Sequence, residues 1–416
     1  MADLEPSAPQ DSDRQRQDTA PDQEVDRADA RSANSAPERK ANDSKGDRTA
    51  EAGSRDASSR VAQATDSALK PGVTSRAAPR QAYAAIDLGT NNCRLLIARP
   101  SGENFVVIDA FSRVVRLGEG LAQTGRLSDE AMARAMAALR VCADKLRRRN
   151  VHLARSVATE ACRRAENGEM FIDQVREQTG IVLDVISAQE EARLAVLGCH
   201  ILLEQGEGPA MIFDIGGGST ELVLIETGEV VPRILDWQSV PWGVVSLTES
   251  FPANEPESDA DRLQRYRKMR LAVSTSFRDF AERLEPFRNA PGLPSPRLLG
   301  TSGTVTTLAS LHLGLPQYDR RAVDGLIVEA SAMRDISAQL STLSAEKRQE
   351  LPCIGRDRAE LVVAGCAILE TILDLWPAAR LGVADRGIRE GILRSLMAGA
   401  RLSEQNRALA RQVRAL

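Results

Sequence analysis

The residues best suited by type and spacing to do chemistry lie in the stretch MIFDIGGGSTELVLI, residues 211–225. Two apolar runs with strand character flank a turn that has almost no side chains. Gly216, Gly217 and Gly218 let the backbone take conformations closed to other residues and let its N–H groups approach an anion, while Ser219 and Thr220 add hydroxyl donors. Asp214 ends the first run and Glu221 opens the second. A carboxylate at each lip of such a nest repels bare phosphate, so the pattern makes most sense with a divalent cation between acid and phosphate. Read alone, the stretch is also compatible with an ordinary glycine-rich hairpin. A second copy shifts the balance: YAAIDLGTNNCRLLIA, residues 83–98, repeats strand, acid, glycine, hydroxyl residue and strand, with Asp87, Gly89, Thr90, Asn91 and Asn92.

Three further places could contribute. Arg163 follows a predicted strand, 151–158, at the C-terminal end where open α/β sheets place ligands. Its planar fork suits phosphate oxygens, although an arginine in such a position is more often in a surface ion pair. Glu190 and Glu191 open a predicted helix, 187 to about 204, where acids are expected on helix-dipole grounds alone. That helix directly precedes the 211–225 hairpin and would bridge two halves of the molecule, so one acid could reach a cleft between them. Residues 297–305 read as strand, glycine turn and helix N-terminus, which makes Gly303 a third anion or ribose contact. Other schemes fit poorly. No G-x-x-x-x-G-K-[ST] occurs, residues 217–221 fail G-x-S-x-G, and His152, His200 and His312 are not in metal-ligand spacing.

The elements that must hold these residues can be read from periodicity. Strands are predicted over 104–110 and 113–117. Ser128 caps a helix whose apolar face is Met132, Ala135, Met136, Leu139, Cys142 and Leu146. A strand over 181–186, strands over 229–235 and 239–247, and a helical region over 260–283 follow. Helices over 331–343 and 358–375 precede a strand at 381–384 and a helix reached through 385–391. Residues 403–416 read as a surface helix or frayed tail. The chain is therefore α/β, with enough length for two domains.

Composition bounds the rest. With 42% hydrophobic residues, 27% charged residues and a net charge of −4, the chain resembles an ordinary soluble protein and not a nucleic-acid or polybasic membrane binder. No apolar run reaches the length of a membrane span. Residues 1–80 contain no Phe, Trp or Tyr and no periodic apolar pattern, so they are expected to be a disordered extension. That segment lacks the basic start and apolar middle of a secretion signal. Six scattered cysteines without a C-x-x-C pair read as reduced thiols of a cytoplasmic protein.

The series AAIDLGTNN, ATEACRRA, QEEARLA, DIGGGSTEL, PWGVVSLTE, LGTSGTVTTLA, RDRAELVVAG and RGIREG, spread over residues 83–396, resembles the exopolyphosphatase and guanosine pentaphosphate phosphohydrolase family. The paired hairpins resemble those of the wider actin-like (ribonuclease H-like) superfamily. The resemblance implies two actin-like domains around a central cleft, here 81–206 and 207–400, with 401–416 as a terminal helix or tail. It implies release of the terminal phosphate of polyphosphate or guanosine pentaphosphate, with Mg2+. It further implies Glu191 as general base, Arg163 as a phosphate contact, and Asp87, Asp214 and Glu221 as acids linked to the metal. Asn92 stands where many members carry Ser, and the chain stops soon after Gly391, where longer members add a helical module. A homodimer is among the implied partners; nucleic acid and membrane are not. Two other classes stay open: a small-molecule kinase of the same superfamily, and a non-catalytic actin-like regulatory protein.

Overall fold

The computed structural model describes residues 81–415, apart from 103, 229–230, 255, 289–291 and 293–294. The extension expected over 1–80 lies outside the described residues. Those from 81 onward fall in one compact unit built on two sheets.

The first sheet has the strands β1 (Ala82–Leu88), β2 (Asn92–Ser101), β3 (Asn104–Val114), β4 (Val151–Ala158) and β5 (Leu183–Val185), in the order β3-β2-β1-β4-β5. The second has β6 (Pro209–Ile215), β7 (Thr220–Glu226), β8 (Arg233–Val240), β9 (Arg297–Thr301), β10 (Ile327–Glu329) and β11 (Arg380–Ala384). Its order, read from the β8 edge, is β8-β7-β6-β9-β11-β10, so the first sheet's topology recurs with one extra antiparallel edge strand. In both, an antiparallel hairpin feeds a central strand that pairs in parallel with the next. The central strands are the two that precede the glycine turns. They are apolar along most of their length because helices cover both faces.

Cores form on each side of these sheets. Helix Asp129–Arg148 packs its predicted apolar face on the first sheet, with Ser128 accepting from the Ala131 N–H as its cap. On the second sheet, Phe213, Met269, Phe277, Val305 and Trp376 meet between helices Asp259–Ser276, Gly303–His312 and Leu361–Leu375. The last helix, Ile388–Ala415, returns to the first lobe, where Ile392 and Leu393 pack with Tyr83, Leu194 and Ala195. Residues 403–415 thus continue a long helix and are not a separate tail.

Several expected boundaries differ. The two strands expected over 104–117 form one strand to Val114, and the strand expected over 181–186 shortens to three residues. The strand expected from 229 is described from Arg233; its expected start at 229–230 lies outside the described residues. The strand expected over 239–247 is the larger miss. After Val240 the chain turns at Pro241-Trp242-Gly243 into a helix, Val244–Ser250. The β-branched pair Val244-Val245 suggests a strand, but its N–H groups find acceptors in the glycine turn, at Gly216 O and Gly217 O.

Candidate active site

The two hairpins close in the same way. Gly89 N–H donates to Asn92 O at 2.9 Å, and Gly216 N–H donates to Ser219 O at 2.9 Å. Carbonyls of both turns are tied back into their own lobes. Thr90 O accepts from Gly118 N–H, and Asn91 O from Val115 and Arg116. Gly216 O accepts from Val244 N–H and Gly217 O from Val245, while Gly218 O accepts from the Ser246 hydroxyl. The N–H groups of Thr90, Asn91, Gly217 and Gly218 donate to no described residue. With carbonyls turned away and N–H groups unspent, each turn presents the backbone donors that an anion nest requires.

The reason for glycine differs from the one expected. None of Gly216, Gly217 and Gly218 has a left-handed φ. Clearance is what counts: a Cβ on Gly218 would stand 2.7 Å from Thr90 Oγ1 and 3.0 Å from Glu160 Cγ. The two turns touch, and only bare backbone fits between them.

A cavity of about 140 Å³ opens beside these turns. Its lining brings together Asp87, Gly89, Thr90, Asn91, Asn92, Glu191, Asp214, Gly216, Gly217, Gly218, Ser219, Glu221 and Gly303, as the sequence led us to expect. Two expected residues are elsewhere. Thr220 is fully buried, and its hydroxyl donates to Trp242 O at 2.6 Å, which makes it a tie to the following loop and not a substrate contact. Arg163 stands behind the wall. Its guanidinium donates to Glu191 Oε2 at 3.1 Å, Glu160 Oε2 at 2.6 Å and Ile186 O at 2.7 Å. It presents no fork to the cavity.

Glu190 and Glu191 separate because successive helical residues point about 100° apart. Glu191 turns inward and is 7% exposed. Glu190 turns outward, where Arg155 and Arg193 hold it and keep its carboxyl below the usual range. For Glu191, burial pushes the carboxyl well above its usual range, reinforced by Glu221 and opposed by Arg163. Burial likewise raises Asp87 against the pull of Arg94. It raises Asp214 to about 8, with Glu221 and Asp87 adding to the shift. Glu221 is raised by burial while Oε1 accepts from the Ser219 and Ser239 hydroxyls at 2.6 and 2.9 Å. The cleft is therefore a cluster of acids whose negative charge is costly to hold in the free protein.

The donors suit a hard divalent cation. Among the described residues no three acid, histidine or cysteine side chains converge to hold a metal by themselves. Asp87, Asp214 and Glu221 are thus not a ready-made cage. Carboxylate oxygens on both lips fit the mode in which magnesium takes one or two protein acids and completes its shell with water and phosphate oxygens.

Sequence reasoning missed the cleft's own cations. Arg94 and Arg358 both line the cavity, and Arg358 also donates to Thr307 Oγ1 at 3.1 Å. A signal for Arg94 was present: it lies two residues after Asn92 on a strand, hence on the same face, and pairs in register with Asp87. Arg358, on the short helix Arg356–Ala359, had no such periodic signal. Glu160 was also missed as a lining residue.

Fold and cleft together define an actin-like phosphate-handling protein. Residues 96–399 match the Ppx/GppA phosphatase family, and the chain belongs to it. Among curated relatives, exopolyphosphatase 2 of Mycobacterium tuberculosis is 34% identical over 328 residues, which cover 75% of this chain and 98% of that protein. The guanosine-5'-triphosphate,3'-diphosphate pyrophosphatase of Vibrio vulnificus is 29% identical over 77% of this chain and 60% of that longer protein. The crystal structure of the Aquifex aeolicus Ppx/GppA family member superposes with a TM-score of 0.62 at 28% identity, covering 77% of this chain and 99% of that one.

Proposed function

We propose that the chain is a phosphoanhydride hydrolase that removes the terminal phosphate of inorganic polyphosphate or guanosine pentaphosphate, with Glu191 as general base. The observation that carries this reading is the convergence of a buried glutamate with two opposed nests of unspent N–H groups on one cavity. Attack of water on a terminal phosphorus needs a positioned base, charge stabilisation on the equatorial oxygens and a clamp on the leaving phosphate. The turns at Thr90-Asn91 and Gly217-Gly218 clamp phosphate oxygens through backbone N–H groups. Glu191 accepts the water proton, and its raised carboxyl suits a base working near neutral pH. Arg94 and Arg358 supply fixed positive charge to the chain. Asp87, Asp214 and Glu221 would hold magnesium, which when bound neutralises phosphate charge.

Phosphate release from polyphosphate and from guanosine pentaphosphate, measured side by side with and without magnesium, tests the reading. Turnover of at least one, dependent on magnesium, is expected. No release from either would overturn the reading, and ADP formed from ATP with a small acceptor would replace it with the kinase reading.

A further inference from the structure

We infer that Arg163 acts on the reaction only through Glu191, as a positioning residue held from its other side by Glu160. This rests on Glu191 being the base. Arg163 is not among the residues that line the cavity, whereas both carboxylates it holds are. Glu160 and Arg163 belong to the short helix Glu160–Arg164 that follows β4. Ile186 follows the parallel neighbour β5, and Glu191 lies in the helix Ala188–Cys199 beyond it. One guanidinium thus ties three places in two successive strand-to-helix connections. It has five N–H groups in a rigid plane, and the bonds to Ile186 O, Glu191 and Glu160 run along both of its arms. The tie to Ile186 O is to backbone, so the guanidinium is referenced to the sheet and not only to mobile side chains. Turning Arg163 toward a phosphate would strand two largely buried carboxylates and an acceptor carbonyl at once. The charge it carries is already shared between Glu160 and Glu191, and the cleft has its own cations in Arg94 and Arg358.

The consequence is a definite pattern of coupling. A residue that touches phosphate contributes whichever side chain stands at 191. A residue that only holds Glu191 has nothing left to contribute once the base is gone.

The experiment is a double-mutant cycle on the full chain with Arg163→Ala and Glu191→Gln, read as phosphate release from whichever of the two substrates the parent hydrolyses. Arg163→Ala is expected to lower kcat about 100-fold, the scale of a small misplacement of a reacting group, with KM within about threefold of the parent. In the Glu191→Gln background the same substitution should change the residual rate by less than about twofold. Arg163→Lys, which keeps charge and one contact, should fall between parent and Arg163→Ala in kcat, again without a change in KM. The Kd of imidotriphosphate, an unreactive phosphate chain, should be unchanged by Arg163→Ala, which also shows that the variant is folded. Equal losses in both backgrounds, or weakened KM and imidotriphosphate binding in either Arg163 variant, would overturn the inference and return Arg163 to the phosphate. A Glu191→Gln rate within about tenfold of the parent would instead overturn the base assignment itself, and the inference with it.

Discussion

Asp214 and Glu221 stand directly opposite each other in the register of the β6–β7 hairpin. Like charges so placed repel, and burial sharpens the cost. Asp214 is raised from 3.8 to about 8, so between those values the folded chain keeps a proton that the unfolded chain has lost. Stability then falls as pH rises through that window, the reverse of a salt-bridged carboxylate. Asp214→Asn removes the titration. In chelator its Tm should exceed that of the parent, by a margin that grows from about pH 4 to about pH 8 and then levels off. Added magnesium should narrow the margin, since it binds the folded parent. A margin that shrinks with rising pH would show that Asp214 is stabilised as an anion in the free protein.

The adjacent glutamates give a contrast within one helical turn. Glu191→Gln keeps shape and removes the proposed base, so kcat should fall at least about 100-fold. Glu190 is held on the outer face by Arg155 and Arg193. Glu190 is half-buried, and ion pairs this near the surface contribute about 0–1 kcal/mol, so Glu190→Gln should leave turnover within about threefold and Tm nearly unchanged. If Glu190→Gln proves the sensitive variant in phosphate release, the assignment of roles along this helix is wrong.

What could be read from the sequence was local, and what could not was set by partners distant in the chain. Both hairpins were legible because acid, glycine and hydroxyl residues keep their spacing between apolar strands, and the structure closes them with matching hydrogen bonds. The inward turn of Glu191 was reached through the family resemblance, and the helix phase agrees with it. The Val244–Ser250 helix was not legible. Its first N–H groups are satisfied by carbonyls of the turn at 216–217, and local β-propensity gave the opposite answer. Arg163 and Thr220 were misplaced for a related reason. A residue type says what a side chain can bond, but the acceptors that claimed these two, Glu191, Glu160, Ile186 and Trp242, are chosen by tertiary packing.

With Arg163 committed to the wall, the proposed role of meeting substrate charge falls to Arg94 and Arg358, which line the cavity. Neither is in an ion pair with a described residue, although Asp87 and Asp214 both feel the Arg94 charge. A charge-assisted hydrogen bond contributes about 1.5–3 kcal/mol, so Arg358→Ala should raise KM about 10- to 100-fold, with a smaller effect on kcat. That variant should also flatten the dependence of KM on salt. An unchanged KM in steady-state phosphate release would place the chain away from the Gly303 side of the cavity.

The crossing of two helices beneath the cleft supplies the last prediction. Helix Ala188–Cys199 carries Glu191, and helix Ile388–Ala415 returns from the second lobe to lie against it. They meet backbone to backbone: a Cβ on Gly198 would be 2.0 Å from Gly387 O, and one on Gly391 would be 2.0 Å from Leu194 O. No rotamer change relieves such a clash, because both offending atoms are main-chain. Gly391→Ala must push the helices apart, and overpacking of this sort costs about 1–3 kcal/mol. The same helix contains its own control. Gly399 has nothing within 4 Å of where a Cβ would sit, so Gly399→Ala should gain the helix preference of Ala over Gly, about 0.5–1 kcal/mol. One substitution at two positions eight residues apart should therefore move Tm in opposite directions, down at Gly391 and up at Gly399. Only Gly391→Ala should also lower kcat, because displacing Leu194 shifts the helix on which Glu191 sits. Equal Tm shifts for the two variants, or a Gly391→Ala enzyme with the parent's kcat, would mean that this crossing does not set the position of the base.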